Sequence, residues 1–403
     1  MIWLYILASI AIFVQMFFLF QVFRNYKYAL SKSRKQRDKY IPKTALIVPC
    51  KGLDTEFEKN VASFYNQDYA NYELIFVVES RSDPAYEKLC ALKDVYGADS
   101  QVLDVRILTA GVASHGSQKL CNLLCAYRNI SVGVEILAFA DSDACLRSDW
   151  LGHIVYPLRK QKAGAASGYR WFVPIRNNLA TLAMSAMNAK VAQNLGASRF
   201  NQAWGGSMAI RVELFAQLGL DKIWETAVSD DLTLSRAVKQ AGKKVVFVPA
   251  CLVASYEQTT WPKLFEFARR QFLITRITMP GTWWFAFFSA FFSVLGFWGF
   301  AAVSLFSFFA EAGYWSIFAL TAVLLLGCQL LRAVLRQRMI FNVLSADVPR
   351  MRTSAAADLL GGPIWSCLMF LCIASSAFGK VINWRGIRYK LLNPSEAIRI
   401  RGK

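Results

Sequence analysis

The sequence predicts an α/β domain with a doubly wound, mostly parallel sheet, set between an N-terminal transmembrane anchor and C-terminal transmembrane and interfacial helices. Three observations carry the prediction. Between Thr44 and about Pro280, short and nearly continuous runs of Val, Ile, Leu and Phe alternate with amphipathic segments, the pattern of strands covered on both faces by helices. Apolar segments long enough to span a bilayer, which takes about 20 residues per helix, lie on either side of that stretch. Over 403 residues the chain is 55% hydrophobic, 14% aromatic and only 18% charged, which excludes a disordered chain and is too apolar for a purely soluble one.

The first apolar segment, residues 2–23, starts at the initiator Met with no basic n-region and no small-residue cleavage site, so it reads as an anchor and not as a signal peptide. In the α/β stretch the expected strands are 45–48, 74–78, 105–108, 136–140, 208–211 and 245–248. The expected helices are 57–65, 85–95, 119–128, 151–159 and 232–241, the last stopped by Gly242. Residues 261–278 set Phe265, Phe267, Phe272, Leu273 and Ile274 beside Lys263, Arg269, Arg270 and Arg276, the make-up of an amphipathic helix at the bilayer surface. Further apolar segments cover 277–310, 312–331 and 359–379. The expected organisation is an anchor over 1–23, a basic juxtamembrane segment over 24–43, the α/β domain over 44–260, an interfacial helix over 261–280, membrane helices over 281–379 and a basic tail over 380–403.

The charge follows this layout. Of a net +19, segments 24–43, 332–352 and 380–403 carry +7, +4 and +6, each beside an apolar segment. The basicity is therefore a signal of membrane topology and anionic lipid, and argues against nucleic acid as a partner. By the positive-inside rule the α/β domain, the 332–352 loop and the tail all belong in the cytosol. A full crossing at 359–379 would put the tail outside, and Gly361, Gly362 and Pro363 favour a re-entrant or interfacial hairpin instead. Nine cysteines without a Cys-x-x-Cys pair, and only two histidines, argue against a zinc site and suggest free thiols in a reducing compartment. His153 reads as helix surface and His115 as a neighbour of the Lys119 loop.

Doubly wound sheets bind ligands outside the carboxyl ends of their strands. Here those ends are polar: Pro49-Cys50-Lys51-Gly52, then Glu79-Ser80-Arg81-Ser82-Asp83, then Asp141-Ser142-Asp143. No Gly-x-Gly-x-x-Gly or Walker loop follows a strand, which argues against dinucleotide oxidoreductases and P-loop ATPases. Asp141 and Asp143 suit one hard divalent cation, Mg²⁺ or Mn²⁺, that keeps positions open for phosphate oxygens. The alternative is a pair of solvated turn aspartates. Ser229-Asp230-Asp231 is either an N-cap pair or a cap in which one carboxylate also serves as general base. Trp204-Gly205-Gly206-Ser207 reads first as a turn before strand 208–211 and second as a glycine-rich ligand loop. Arg269 and Arg270, flanked by Phe267 and Phe272, would bind phosphate or act as interfacial anchors.

Taken together, these residues resemble the ceramide glucosyltransferase family, membrane-anchored glycosyltransferases of GT-A-type fold, from the N-terminal anchor to about Pro280. The resemblance implies a first nucleotide loop at Lys51, Gly52 and Asp54, with Glu79 beside it, and a uridine contact at Asp83. It implies a second acidic motif at Asp141, completed as a metal pair by Asp143, and a catalytic base at Asp231 with Asp230 alongside. Gln118-Lys119-x-x-Asn122-Leu123 is similar to the family's Pro-Lys-x-Asn-Asn-Leu segment, which adds Lys119 to the nucleotide-sugar site. The family's closing motif of Gln or Arg, two residues, then Arg-Trp is reduced here to Arg270 within Phe267-Ala268-Arg269-Arg270-Gln271, with Arg269 as its neighbour on the donor phosphates. Asp143, often not acidic in the family, resembles bacterial and polysaccharide-forming relatives. Trp384-Arg385-Gly386-x-x-Tyr389 looks like a segment of several membrane transferases.

The implied activity is an inverting transfer of a sugar from a UDP-sugar, foremost UDP-glucose, to a membrane lipid such as ceramide. It would take place on the cytosolic side of a bacterial inner membrane or a Golgi-like membrane. The rivals are transfer to hopanoid or diacylglycerol, a processive polysaccharide synthase sharing the acidic motifs, and a catalytically dead membrane scaffold on the same fold.

Overall fold

The computed structural model of the protein describes residues 2–33, 40–97 and 100–400. Its central sheet comprises β1 (Thr44–Pro49), β2 (Tyr72–Val78), β3 (Asp104–Thr109), β4 (Ile136–Ala140), β5 (Ala163–Pro174), β6 (Ser207–Arg211) and β7 (Lys244–Glu257), in the order β3-β2-β1-β4-β6-β5-β7. Neighbouring strands are parallel except at β6, which is antiparallel to both β4 and β5. The fold class expected from the sequence is therefore the one observed.

Side chains of each strand alternate between two helix layers. Leu46 and Val48 of β1 pack with α2 (Phe57–Tyr65), α3 (Pro84–Tyr96) and the short α5 (Trp150–Val155). Ala45 and Ile47 face the other layer, formed by α4 (Gln118–Arg128), α7 (Val212–Gln217), α8 (Leu220–Thr226) and α9 (Asp230–Gln240). Burial on both sides is why these strands read as continuous apolar runs.

The expected strand 245–248 is only the start of β7, and β5 was not expected. Its first half, Ala163-Gly164-Ala165-Ala166-Ser167-Gly168, lacks the branched side chains that mark a strand. Close approach explains those small residues. A Cβ on Gly164 would stand 2.5 Å from Val238 Cγ1, and one on Gly168 would stand 1.8 Å from the Cys251 carbonyl oxygen. Beyond that pinch β5 and β7 run on together from Tyr169–Leu252 to Pro174–Glu257 and pack on α6 (Leu179–Ala192).

Among the described residues, three helical stretches are long and apolar enough to cross a membrane. They are α1 (Ile2–Ser33), α11 (Pro280–Val294) continued by α12 (Phe300–Phe309), and α13 (Trp315–Val343). Large apolar side chains on them, such as Phe13, Phe306 and Leu320, are exposed, as lipid-facing residues are. Helix α1 runs on past residue 23, and its end is tied to the domain by Asn25 Nδ2 to the Gln193 carbonyl and Tyr28 Oη to the Phe247 carbonyl, each 2.9 Å. Between the α/β domain and the apolar helix α11 lies α10 (Trp261–Thr278), with the bounds expected of the amphipathic helix.

The last apolar segment is bent. Helix α14 (Val348–Leu360) meets α15 (Gly362–Ser375) at an angle of 85°. Both ends of α15 are fastened close to the α/β domain: Lys190 of α6 donates to the Gly362 carbonyl at 2.9 Å, and Ser376 accepts from Trp283 Nε1 at 2.8 Å, next to Thr282, which bonds Gln202. At about 1.5 Å per residue, 14 residues reach about 21 Å, short of the bilayer core of about 30 Å. The buried Arg336–Asp358 pair, with Gln337 and Gln193, locks α13 and α14 to the end of α6.

Residues 380–400, expected as a basic tail, form an antiparallel sheet of β8 (Val381–Trp384), β9 (Ile387–Asn393) and β10 (Glu396–Ile400). Its inner face buries Ile382, Tyr389, Leu391 and Ala397 against Val228, Leu273 and Ile274. Basic residues on the outer face of such short strands mask the apolar alternation.

Candidate active site

The switch point of the sheet lies between β1 and β4, and the polar strand ends meet there. After β1 the chain turns at Gly52, whose φ of +66° favours glycine. The Gly52 amide donates to Asp83 Oδ1 at 2.8 Å. The same oxygen caps α3 by accepting from Ala85 N at 2.9 Å, with Pro84 opening the helix. Lys51 Nζ pairs with Glu79 Oε2 at 2.8 Å across the two loops. Four residues proposed from the sequence thus share one corner of the site.

At the end of β4, Asp141 Oδ1 lies 2.7 Å from Lys119 Nζ, which is 2.9 Å from Asp230 Oδ2. Burial would raise the Asp141 carboxyl, but Lys119, helped by Arg170 and Arg385, outweighs it and holds the group below its usual range. Asp143 lacks such a partner. Burial, reinforced by the charge of Asp141, pushes its carboxyl up to about 7, and its Oδ1 is enclosed with no hydrogen bond. Asp230, buried at the mouth of α9, is pushed to about 6 by burial and by Asp231 and Asp141, against the pull of Lys119.

Ser229 caps α9 through its hydroxyl, which accepts from Leu232 N at 3.2 Å and donates to Asp231 Oδ1 at 2.5 Å. Leu232 N also donates to Asp231 Oδ1 at 2.7 Å, so that oxygen is fixed, while Oδ2 accepts a longer bond of 3.3 Å from Gly205 N. The Gly205-Gly206 turn is both a lead into β6 and a wall of the site. A Cβ on Gly205 would fall 2.0 Å from Asp230 Oδ2, and one on Gly206 would fall 2.7 Å from Asp141 Oδ2.

Two guanidinium groups, Arg170 and Arg385, bear on the acidic cluster, and a third, Arg270, stands beside Arg170 without reaching a cluster carboxylate. Arg170, on the extension of β5, lies over Trp204, Phe172 and Phe267 and acts on Asp141, Asp143 and Glu257. Arg270 of α10 stacks on Phe267 and Trp384 and donates to the Asn383 carbonyl at 3.2 Å. Burial, followed by the charge of Arg170, lowers its pKa to about 10. Arg385 reaches in from the tail sheet to Asp54 Oδ1 at 3.1 Å. Arg269 is held elsewhere, donating to the Phe378 carbonyl at 2.9 Å. His115 is exposed ahead of α4, and His153 is half-buried beside Asp149.

The structure therefore brings together Lys51, Gly52, Glu79, Asp83, Lys119, Asp141, Asp143, Asp230 and Asp231. Arg170 and Glu257 were not singled out in the sequence, because neither stands at the end of one of the strands expected there: both lie on the second halves of β5 and β7, beyond the Gly168 pinch. Arg385 stood in a recognised segment, and only its docking reveals its reach.

A mostly parallel sheet with a lysine-bridged carboxylate cluster at its switch point, joined to helices long and apolar enough to cross a membrane, defines the class as an α/β protein with its candidate site at the strand ends. The chain belongs to glycosyl transferase family 21, whose profile matches residues 3–397. A stretch of 123 residues, 30% of this chain, is 30% identical to ceramide glucosyltransferase 3 of Caenorhabditis elegans and spans 25% of that protein. Among solved structures, the mannosyltransferase PcManGT of Pyrobaculum calidifontis, in complex with GDP-Man and Mn²⁺, aligns over 92% of this chain and 97% of its own, with 16% identity and a TM-score of 0.45. GalNAc-T7 with UDP, GalNAc and Mn²⁺ aligns over 58% of this chain and 48% of its own, with 14% identity and a TM-score of 0.42.

Proposed function

We propose that the chain is a membrane-bound inverting glycosyltransferase that moves a sugar, foremost glucose from UDP-glucose, onto the hydroxyl of a lipid acceptor such as ceramide. The observation that carries this reading is the Asp141–Lys119–Asp230 bridge, which joins the carboxylates after β4 to those opening α9. Membership of family 21 and the local similarity to a ceramide glucosyltransferase support the reaction class.

In this reading Lys51, Gly52, Glu79 and Asp83 take the nucleoside end of the donor. Asp141 and Asp143 would hold Mg²⁺ or Mn²⁺. The fit rests on Asp143, a recessed carboxylate whose Oδ1 has no hydrogen-bond partner and which follows Asp141 by two residues at the end of β4. Among the described residues no group of three or more His, Cys, Asp or Glu side chains is arranged for a metal, so the remaining ligands would be phosphate oxygens and water. When bound, the cation neutralises the diphosphate as it leaves. Arg270 and Arg170 add positive charge on the same side.

Asp231 is the general base. With Oδ1 held by Ser229 and Leu232, Oδ2 is the oxygen that takes the acceptor's hydroxyl proton. Attack opposite the leaving diphosphate inverts the anomeric carbon. The acceptor would come along α10, where Trp261 and Phe265 are exposed beside the membrane helices. The docked tail and the two fastened ends of α15 support a re-entrant last segment, with domain and tail together on the cytosolic side.

The test is mass spectrometry of lipids after purified protein meets a panel of UDP-sugars and of ceramide, diacylglycerol and hopanoid acceptors with Mg²⁺ or Mn²⁺. A new glycolipid supports the reading and names both substrates. A growing polymer, or no product from any pair, contradicts it.

A further inference from the structure

The tail sheet lies at the end of the chain, yet one of its side chains enters the cluster at the start of the α/β domain. Strands β8 and β9 are joined by Arg385-Gly386, both left-handed at φ +49° and +79°. That pair of conformations makes a tight hairpin in which Asn, Asp or Gly is the usual first residue. An arginine held there is an outlier of the kind that gathers at functional sites. Its guanidinium spans two parts of the donor loop, Nη1 donating to the Lys51 carbonyl at 2.5 Å and Nη2 meeting Asp54 Oδ1 at 3.1 Å. Asp54 Oδ2 in turn accepts from Ser142 Oγ at 2.5 Å, and Ser142 sits between Asp141 and Asp143. One side chain, 334 residues along the chain from Lys51, thus clamps both ends of the loop after β1, whose Asp54 in turn bonds the loop after β4.

The hairpin is held firmly enough to act as a brace. Arg270 bonds the Asn383 carbonyl and stacks on Trp384. Tyr389 is buried beside Ile274, and Thr226 Oγ1 donates to the Ser395 carbonyl at 2.8 Å.

We propose that Arg385 is a positioning residue for the nucleoside diphosphate of the donor, the tail hairpin bracing the Lys51–Asp54 loop against the Asp141-Ser142-Asp143 turn in the shape that binds it. This rests on the reading of the site as a UDP-sugar site. Since the guanidinium touches the loop and not the reacting atoms, its loss acts on donor binding more than on the chemical step.

The experiment compares full-length wild type, Arg385→Ala, Arg385→Lys and the exposed-surface control Arg399→Ala, measuring UDP affinity by calorimetry and donor KM and kcat in the glycolipid assay. Arg385→Ala is expected to weaken UDP binding and raise donor KM at least tenfold, with kcat within about threefold of wild type. Arg385→Lys should fall between, and Arg399→Ala should match wild type. A lowered kcat with unchanged KM and UDP affinity, as expected of partial misfolding, overturns the proposal, and so do unchanged constants. A wild type that binds no UDP overturns the functional reading and this proposal together.

Discussion

The ammonium of Lys119 and the carboxylate of Asp141 form a 2.7 Å ion pair, and the same nitrogen lies 2.9 Å from Asp230, so one lysine ties the end of β4 to the start of α9. The lysine side chain is only 16% exposed. Removing it leaves recessed carboxylates facing each other without a countercharge, a change that costs on the order of 3 kcal/mol. Lys119→Met is expected to lower the unfolding temperature and to weaken UDP binding at least tenfold, both readable in one thermal-shift titration.

A methyl group at Gly205 has no room, since it would lie 2.0 Å from Asp230 Oδ2 and 2.8 Å from Lys119 Nζ. Gly205→Ala should therefore displace the bridge and reduce kcat/KM on the order of 100-fold, the effect of a misplacement near 1 Å. Gly152 in α5 has nothing within 4 Å of its would-be Cβ, so Gly152→Ala should leave activity intact and add about 0.5–1 kcal/mol of stability.

Asp143 and Asp230, with carboxyls raised to about 7 and about 6, bind protons in the folded state that the unfolded chain has already released. Folded-state pKa values above the unfolded value of 3.8 mean stability that is full below about pH 4 and lost as pH rises toward 7. In EDTA, this pair should make the unfolding temperature fall between pH 5 and 7.5, and Asp143→Asn should flatten that slope. Mn²⁺ binding should strengthen over the same interval, because the ligand must be ionised. A melting temperature in EDTA that rises over this interval and is unaffected by Asp143→Asn would contradict the assignment.

Asp358 is fully buried and meets Arg336 through both carboxylate oxygens. Asp358→Ala leaves a buried guanidinium unpaired and should cost about 3–5 kcal/mol, seen as a lower aggregation temperature in detergent. The double change Arg336→Leu with Asp358→Leu should recover much of that loss.

The parts of this protein that were legible in its sequence are those with a strong local signature. Strands β1, β2 and β4 are buried on both faces and so are written in Val, Ile, Leu and Phe, while α2 and α10 have the bounds their amphipathic patterns indicate. The carboxylates at the strand ends could be picked out because the architecture puts function there. β5 escaped because Gly164 and Gly168 exist to let neighbours approach, a reason visible only once Val238 and Cys251 are in place. Arg170 and Glu257 escaped with the extensions they stand on. Arg385 escaped differently: its segment was noticed, but no local rule says that a C-terminal hairpin packs against Leu273 and Ile274 and so delivers an arginine to Asp54.

The proposed transfer turns on Asp231 acting as the base of a site built from these carboxylates. The most direct measurement is single-turnover formation of glycolipid by wild type and Asp231→Asn, with UDP affinity taken on the same samples. The expected result is equal UDP binding, with the transfer rate of the variant down about 10²–10⁴-fold, the usual contribution of a general base. Equal transfer rates in the two proteins would contradict the account.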